Sequence, residues 1–208
     1  LEAGVVSVEA LFQGVEARLS ARPARNVDLP GLVLREASVL VPLFERDGVP
    51  HVVFTRRPAT LRTHANQYSF PGGGRDAEDL TPLHTALRET EEELGIDRRG
   101  VRVLGMLDEV PTISQYRVRP FVGVIPGDGK YQPSPEEVAF ILEVPLVALL
   151  DPAILRVERK EVFGAERDLY FYTYGTHVIW GATARILRDF LGQLAQVPGL
   201  EAVLTARG

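Results

Sequence analysis

The chain has 208 residues, a formal net charge of −5, no cysteine, and 45% apolar against 25% charged residues. That length suits one domain with short appendages and a sizeable core, while the negative charge argues against general affinity for nucleic acid or anionic membranes. The absence of cysteine excludes disulfides, thiolate zinc sites and thiol nucleophiles. No apolar run reaches the roughly 18 residues of a membrane span. The N-terminal stretch carries Glu2, Glu9, Glu16 and Arg18 where a secretory core would be apolar, so a cytoplasmic location is expected.

From the N-terminus, Ser7 to Ala21 predicts a short amphipathic helix, with Ser7 as N-cap and Val8, Leu11, Phe12, Val15 and Leu19 on one stripe. Pro23 to Gly31 reads as a linker. Strand-like runs follow at Ala37–Phe44 and His51–Thr55, joined by a turn at Asp47-Gly48. Thr81-Pro82 predicts a helix start, and Gly95 is placed to cap its other end. Strands are expected at Val101–Leu107 and Tyr116–Ile125, then a proline-rich loop from Pro126 to Pro135 and an acidic turn, Pro135-Glu136-Glu137-Val138. Leu155–Val162 and Leu169–Tyr174 read as a hairpin turning near Gly164, with Tyr170, Tyr172 and Tyr174 alternating on one packed face. A last helix is expected from Val178 to about Ala195, burying Ile179, Ala182, Ile186, Leu187, Phe190 and Leu194. The irregular alternation gives an α/β (α+β) fold, a mixed sheet packed between helices. The expected segments are an N-terminal helix and linker over 1–30, the main domain over 31–197, and a tail over 198–208.

Residues 70–96 hold most of the functional information. Gly72-Gly73-Gly74 leads into a helix whose second half reads Arg88-Glu89-Thr90-Glu91-Glu92-Glu93. A helix turns every ~3.6 residues, so Glu89, Glu92 and Glu93 share a face. Their mutual repulsion asks for a cation, and carboxylate oxygens suit a hard divalent metal. Most charge runs are solvated faces, and Glu91 reads that way. The glycine cluster favours the metal reading, because it lets backbone approach a ligand and frees carbonyls. Arg88 is placed to hold Glu89 through a bidentate pair. Upstream, Arg57, Arg62 and His64 form a cationic cluster suited to phosphates, the plainer reading being ordinary surface basic residues. Glu136 and Glu137 read as a pair facing a local helix dipole, or Glu137 completes a metal site or serves as base. His84 is expected on the exposed helix face, and His51 and His177 lack surrounding ligands.

The run Arg88-Glu89-Thr90-Glu91-Glu92-Glu93-Leu94-Gly95-Ile96, preceded by a Gly-Gly turn, resembles the box of the Nudix hydrolases. Thr90 departs from the aliphatic residue usual there. The acidic residue usual upstream falls on Leu80, with Asp79 beside it and Asp76 further upstream. Thr55, Arg57, Leu61, Arg62, His64, Phe70, Pro71, Gly72 and Gly73 are similar to the signature of the coenzyme A pyrophosphatase subfamily. In that signature Asn66 replaces a glycine, which a left-handed backbone tolerates, and Tyr68 replaces a valine, which would reshape a pocket. The resemblance continues through Pro120–Val124, Glu137-Val138, Val144–Leu146 and Gly181–Ala184.

The resemblance implies a Nudix-type α/β/α sandwich around a central mixed β-sheet. It implies Mg²⁺ or Mn²⁺ held by the Gly73 carbonyl, Glu89, Glu92 and Glu93. Arg88, Glu89, Glu92 and Glu137 are then catalytic, with Glu89 or Glu137 taking the proton. Arg57, Arg62 and His64 bind substrate phosphates. The implied reaction hydrolyses coenzyme A or an acyl-CoA to 3′,5′-ADP and the 4′-phosphopantetheine product, in a homodimer with no nucleic-acid or membrane partner. An alternative is a Nudix hydrolase of ADP-ribose or another nucleotide diphosphate derivative. A weaker one is a non-catalytic Nudix-fold sensor or regulator, which the complete set of box glutamates argues against.

Overall fold

The computed structural model describes residues 7–60, 65–127, 130–162 and 164–205; Arg62 and His64 lie outside them. Helix α1, Val8–Ser20, starts as its sequence directs. The Ser7 hydroxyl accepts from the Ala10 N–H at 3.1 Å, and Val8, Leu11, Phe12, Val15 and Leu19 are buried. The strands are β1 (Arg35–Arg46), β2 (Val49–Arg56), β3 (Tyr68–Ser69), β4 (Gly72–Gly74), β5 (Arg102–Met106), β6 (Val110–Pro111), β7 (Tyr116–Val124) and β8 (Phe140–Pro145). Among the described residues these form an 8-stranded mixed sheet, in which β1 and β7 are parallel and the other pairings antiparallel. A 3-stranded sheet contains β9 (Leu155–Val162), β10 (Ala165–Tyr174) and β11 (His177–Trp180). The remaining helices are α2 (Pro82–Leu94), α3 (Leu146–Leu150), α4 (Gly181–Leu194) and α5 (Leu200–Thr205). The mixed sheet between helices is the architecture expected from the sequence.

Alternation along β1 assigns its two faces. Leu40 and Phe44 meet Val53, Leu94 and Ile96 in a small core under α2. Val41 and Leu43 join the main core with α1 and α4, which holds Phe54, Phe70, Tyr172, Leu187 and Phe190. Tyr172 is 1% exposed in that core, and Tyr170 lies beneath Arg185 and Arg188, so the tyrosine row packs on α4. Strand β1 pairs with β2 only over its second half; its first half pairs with β4 instead. The sheet splits there, and the glycine strand fills the gap.

Two elements differ from the sequence reading. The last helix begins at Gly181, while the stretch before it is strand β11. Gly181 has φ +67°, a left-handed geometry outside the helical region, so the apolar period of Val178–Trp180 belongs to a strand that pairs with β10. The run Phe140–Pro145, given no element from sequence, is β8 and pairs along β2. Short buried runs of this kind lack a period that tells strand from helix. The tail also carries α5, with Val203 buried in the main core.

The extended segment after α1 is strapped across the β5–β6 connection. Asp108 accepts from Arg22 at 2.6 Å and from the Arg25 N–H at 2.9 Å; the Glu109 N–H donates to the Arg25 carbonyl at 3.0 Å. The buried Glu109 carboxylate accepts from the Val27 N–H at 2.7 Å and from Arg119 at 2.6 Å. Removing one partner of a buried pair costs about 3–5 kcal/mol. Glu109→Gln is therefore expected to lower Tm and to open residues 22–27 to limited proteolysis; wild-type resistance in that segment would refute the strap.

Candidate active site

Helix α2 starts with the Thr81 hydroxyl accepting from the His84 N–H at 3.1 Å, has Pro82 in its first turn, and ends on Gly95 at φ 69°. Its polar face meets β4. Glu89 lies on Gly73 so closely that a Cβ added there would stand 2.4 Å from the carboxylate Oε1. Glycine is required at that position because the carboxylate fills the space of a side chain.

The three co-facial glutamates separate into different surroundings. Glu93, 5% exposed, turns towards the sheet, accepting from the Thr55 hydroxyl at 3.1 Å and the Gly72 N–H at 3.3 Å. Burial is the main cause that pushes its carboxyl up to about 7, and the charge of Glu89 adds to it, while Gly72, Thr55 and Arg57 oppose it. Glu89 is also raised, first by burial; Arg88 opposes the rise, and Glu92 and Glu137 add to it. Glu92 is half-exposed and paired to Arg88 Nη1 at 3.0 Å. Arg88 Nη1 also contacts Glu89 Oε1 at 3.0 Å. One guanidinium corner thus bridges two of the carboxylates.

The bidentate partner of Arg88 is Asp79. Arg88 Nε donates to Asp79 Oδ1 at 3.1 Å and Nη2 to Oδ2 at 2.9 Å, and Nη2 also donates to the Gly74 carbonyl at 3.2 Å. The expected fork onto Glu89 is a single contact, because the planar guanidinium presents its fork to Asp79. That hydrogen-bonded pairing holds the Asp79 carboxyl well below the usual range and raises Arg88. Leu80, where the family places an acid, is 85% exposed, and Asp79 at 2% is the inward acid of that loop. Asp76 is largely exposed and lies 3.7 Å from Arg88 Nη2. Both aspartates therefore serve Arg88 and do not face the metal-type carboxylates. Thr90 is buried, its hydroxyl satisfied by the Ala86 carbonyl at 2.7 Å.

Arg57 lies near enough for its charge to act on Glu93. Its Nε is buried without a hydrogen-bond partner among the described residues. The turn after it holds through Asn66 at φ 59°, in the left-handed region, whose N–H donates to the Arg57 carbonyl at 3.2 Å. Tyr68 points into the main core and meets His177 Nδ1 at 2.5 Å, tying the two sheets together. His84 stands 3.5 Å from Asp79 Oδ1 and 3.2 Å from Arg98 Nη1. Sequence reasoning singled out neither Asp79 as the Arg88 anchor nor His177 as a bridge, since both depend on contacts between distant segments. A surface hollow lined by Glu91, Gly95, Asp97, Arg98 and Arg99 lies at the far end of α2. Its arginines are already paired with Glu91 and Asp97, which sets it apart from the chemistry.

Among the described residues, no three His, Cys, Asp or Glu side chains stand together as a ready metal cage. The donor chemistry nevertheless fits a hard cation. Two carboxylates are raised by burial and by neighbouring carboxylates, and a glycine strand runs beside them. Arg88 holds Glu92 and Glu89 together on one guanidinium nitrogen.

Residues 34–171 match the family model of the NUDIX domain. The chain belongs to the Nudix hydrolases. This is a family of pyrophosphohydrolases whose members generally use a divalent metal such as Mg²⁺ or Mn²⁺. The Nudix hydrolase NudL of Photorhabdus laumondii, named as uncharacterized, is 43% identical over 166 residues, covering 78% of this chain and 86% of that one. The protein of the same name from Escherichia coli K12 is 36% identical over 166 residues, covering 79% and 85%. Among solved structures, a MutT/nudix family protein from Enterococcus faecalis superposes with a TM-score of 0.54 at 15% identity, covering 86% of this chain and 71% of that one, which supports the fold. No helix among the described residues is long and apolar enough to cross a membrane.

Gly73→Ala is expected to displace the Glu89 carboxylate and lower kcat/KM about 100-fold or more while the fold persists, a loss typical of misplaced reacting groups; wild-type turnover would refute the close packing. Glu93 carries a linkage signature. With its folded pKa raised to about 7, its contribution to stability is fully present below about pH 4.5 and is lost as pH rises through 7. In chelator, Glu93→Gln should raise Tm by a few degrees at pH 8 and leave it unchanged near pH 4. Equal shifts at both pH values would contradict the assignment.

Proposed function

We propose that this protein hydrolyses the phosphoanhydride of coenzyme A or an acyl-CoA, giving 3′,5′-ADP and the 4′-phosphopantetheine product. The observation that carries the reading is Glu89 packed on Gly73 and joined to Glu92 through Arg88, with the buried Glu93 on the same helix face and Arg57 acting on it. The Gly73 carbonyl, Glu89, Glu92 and Glu93 would hold Mg²⁺ or Mn²⁺, which when bound neutralises diphosphate charge and makes coordinated water more acidic.

The side chains divide the remaining work. Arg57 binds a phosphate oxygen from the strand β2 side of the cluster. Arg88, fixed by Asp79, orients Glu89 and Glu92. The charge of Glu137 acts on Glu89, and one of the two accepts the proton of the attacking water. Water oxygen bonds to phosphorus, the bridging P–O bond breaks, and the phosphate monoester departs. Arg62 and His64, outside the described residues, are proposed to grip the same substrate. The similarity of the Thr55–Gly73 segment to the coenzyme A subfamily supports this substrate over ADP-ribose, and a homodimer is the assembly that similarity suggests.

Replacing Glu92 and Glu93 together with Gln is expected to abolish turnover while circular dichroism and Tm stay native-like; retained activity would reject the proposed metal ligands. Coenzyme A should also be cleaved with higher kcat/KM than ADP-ribose in Mg²⁺ or Mn²⁺. The reverse order would give the second substrate the site.

A further inference from the structure

Cross-strand rows on the α2 side of the main sheet extend beyond the carboxylate cluster. Gly73, Ser38 and Arg119 form one row across β4, β1 and β7, and Glu89 rests on Gly73. Two residues nearer the start of β1, Glu36 is in register with Arg117, and the Arg75 N–H donates to the Glu36 carbonyl at 3.0 Å just past Gly74. Side chains two residues apart on a strand share a face. The Arg75–Glu36–Arg117 row therefore lies on the catalytic side, one step of roughly 7 Å along the strands.

Acceptors run short in this row. Glu36 takes Arg75 Nη1 at 2.7 Å on one oxygen and Arg119 Nη1 at 3.1 Å on the other. Glu109 takes Arg119 Nε at 2.6 Å on one and the Val27 N–H at 2.7 Å on the other. Arg75 Nε and Nη2 both donate to the Asp79 carbonyl, at 3.3 and 3.2 Å. Arg117 is left with Glu109 Oε2 at 3.7 Å, beyond hydrogen-bond distance. Its Nε is buried with no hydrogen-bond partner among the described residues, while 33% of the side chain is exposed. Three guanidiniums thus meet two carboxylates, and Arg117 is the one whose Nε lacks an acceptor among the described residues.

We propose that Arg117 forms an anion subsite for a phosphate monoester of the substrate. The monoester sits one ribose ring away from the diphosphate at Glu89. This rests on the coenzyme A reading, whose 3′-phosphate is such a group. It also separates two tasks: Arg57 serves the diphosphate and Arg117 the isolated phosphate. A guanidinium meets phosphate with parallel donors, so the partly exposed guanidinium of Arg117 is chemically matched to that ligand.

The test uses the full-length protein with Arg117→Gln and Arg117→Lys, in two measurements. Metal-free calorimetry compares adenosine 3′,5′-bisphosphate with AMP. Kinetics compares KM for coenzyme A with that for 3′-dephospho-coenzyme A. Wild type should favour the 3′-phosphorylated member of each pair by about tenfold, the size of one charge-assisted contact. Arg117→Gln should erase that preference with kcat kept, and Arg117→Lys should retain part of it. A purely structural arginine would weaken both members of a pair equally, or neither, and either result overturns the subsite. If coenzyme A is not cleaved but the bisphosphate preference depends on Arg117, the substrate reading fails and the subsite stands. If coenzyme A is cleaved and the preference survives Arg117→Gln, the subsite fails alone.

Discussion

The site depends on one interaction, the fork of Arg88 onto Asp79. Asp79 is almost wholly buried, and a buried carboxylate is tolerated only when paired and hydrogen-bonded. It also accepts from the Asp76 N–H at 3.0 Å, so the loop entering α2 is folded around the same anion. With Nε and Nη2 committed to Asp79, the remaining corner of Arg88 is aimed along the helix at Glu89 and Glu92. The acid in the loop thus fixes the cation, and the cation fixes Glu89 and Glu92. This explains how Leu80 is accommodated: the inward position moves by one residue, and the outward one is free to be apolar.

Local chemistry made much of this legible in the sequence. Ser7, Thr81 and Gly95 mark helix ends because capping is settled within a few residues. The glutamate spacing on α2 marked one face of that helix for the same reason. Other features depended on distant partners. Helical spacing places Glu89, Glu92 and Glu93 on one face but cannot tell that Glu93 is drawn inward by Thr55 and Gly72, or that Glu92 is held outward by Arg88. Tyr68 is a related case. Its departure from valine looked like a change in a pocket, but its side chain joins the core and meets His177, more than a hundred residues away. The start of α4 was misplaced because Val178–Trp180 suits either period, and only the left-handed Gly181 separates them.

The split between β1 and β2 gives these residues a common location. Beyond the split, β1 pairs with the glycine strand, and β2 carries Thr55 and Arg57 to the opposite side of Glu93. Burial there raises Glu93 and Glu89 together, which would be costly for two carboxylates in a closed core. It is sustainable where a cation can approach, and Arg88 and Arg57 supply partial compensation from two directions.

The charge pattern on the α2 face follows from that arrangement. Glu89 rests on the Gly73 end of one row, where backbone rather than side chain faces it, and guanidiniums stand at Arg119 in that row and at Arg117 in the next. Such an alternation favours a ligand that brings its own negative charge together with a divalent cation. The cation would satisfy the glutamates, and the anion would satisfy Arg117, whose Nε lacks an acceptor among the described residues. Neither partner alone neutralises the surface, because a bare metal leaves Arg117 without an acceptor, and a bare phosphate meets the raised carboxylates of Glu89 and Glu93. The register of β4, β1 and β7 thus sets the proposed preference for a metal-bound polyphosphate over either component.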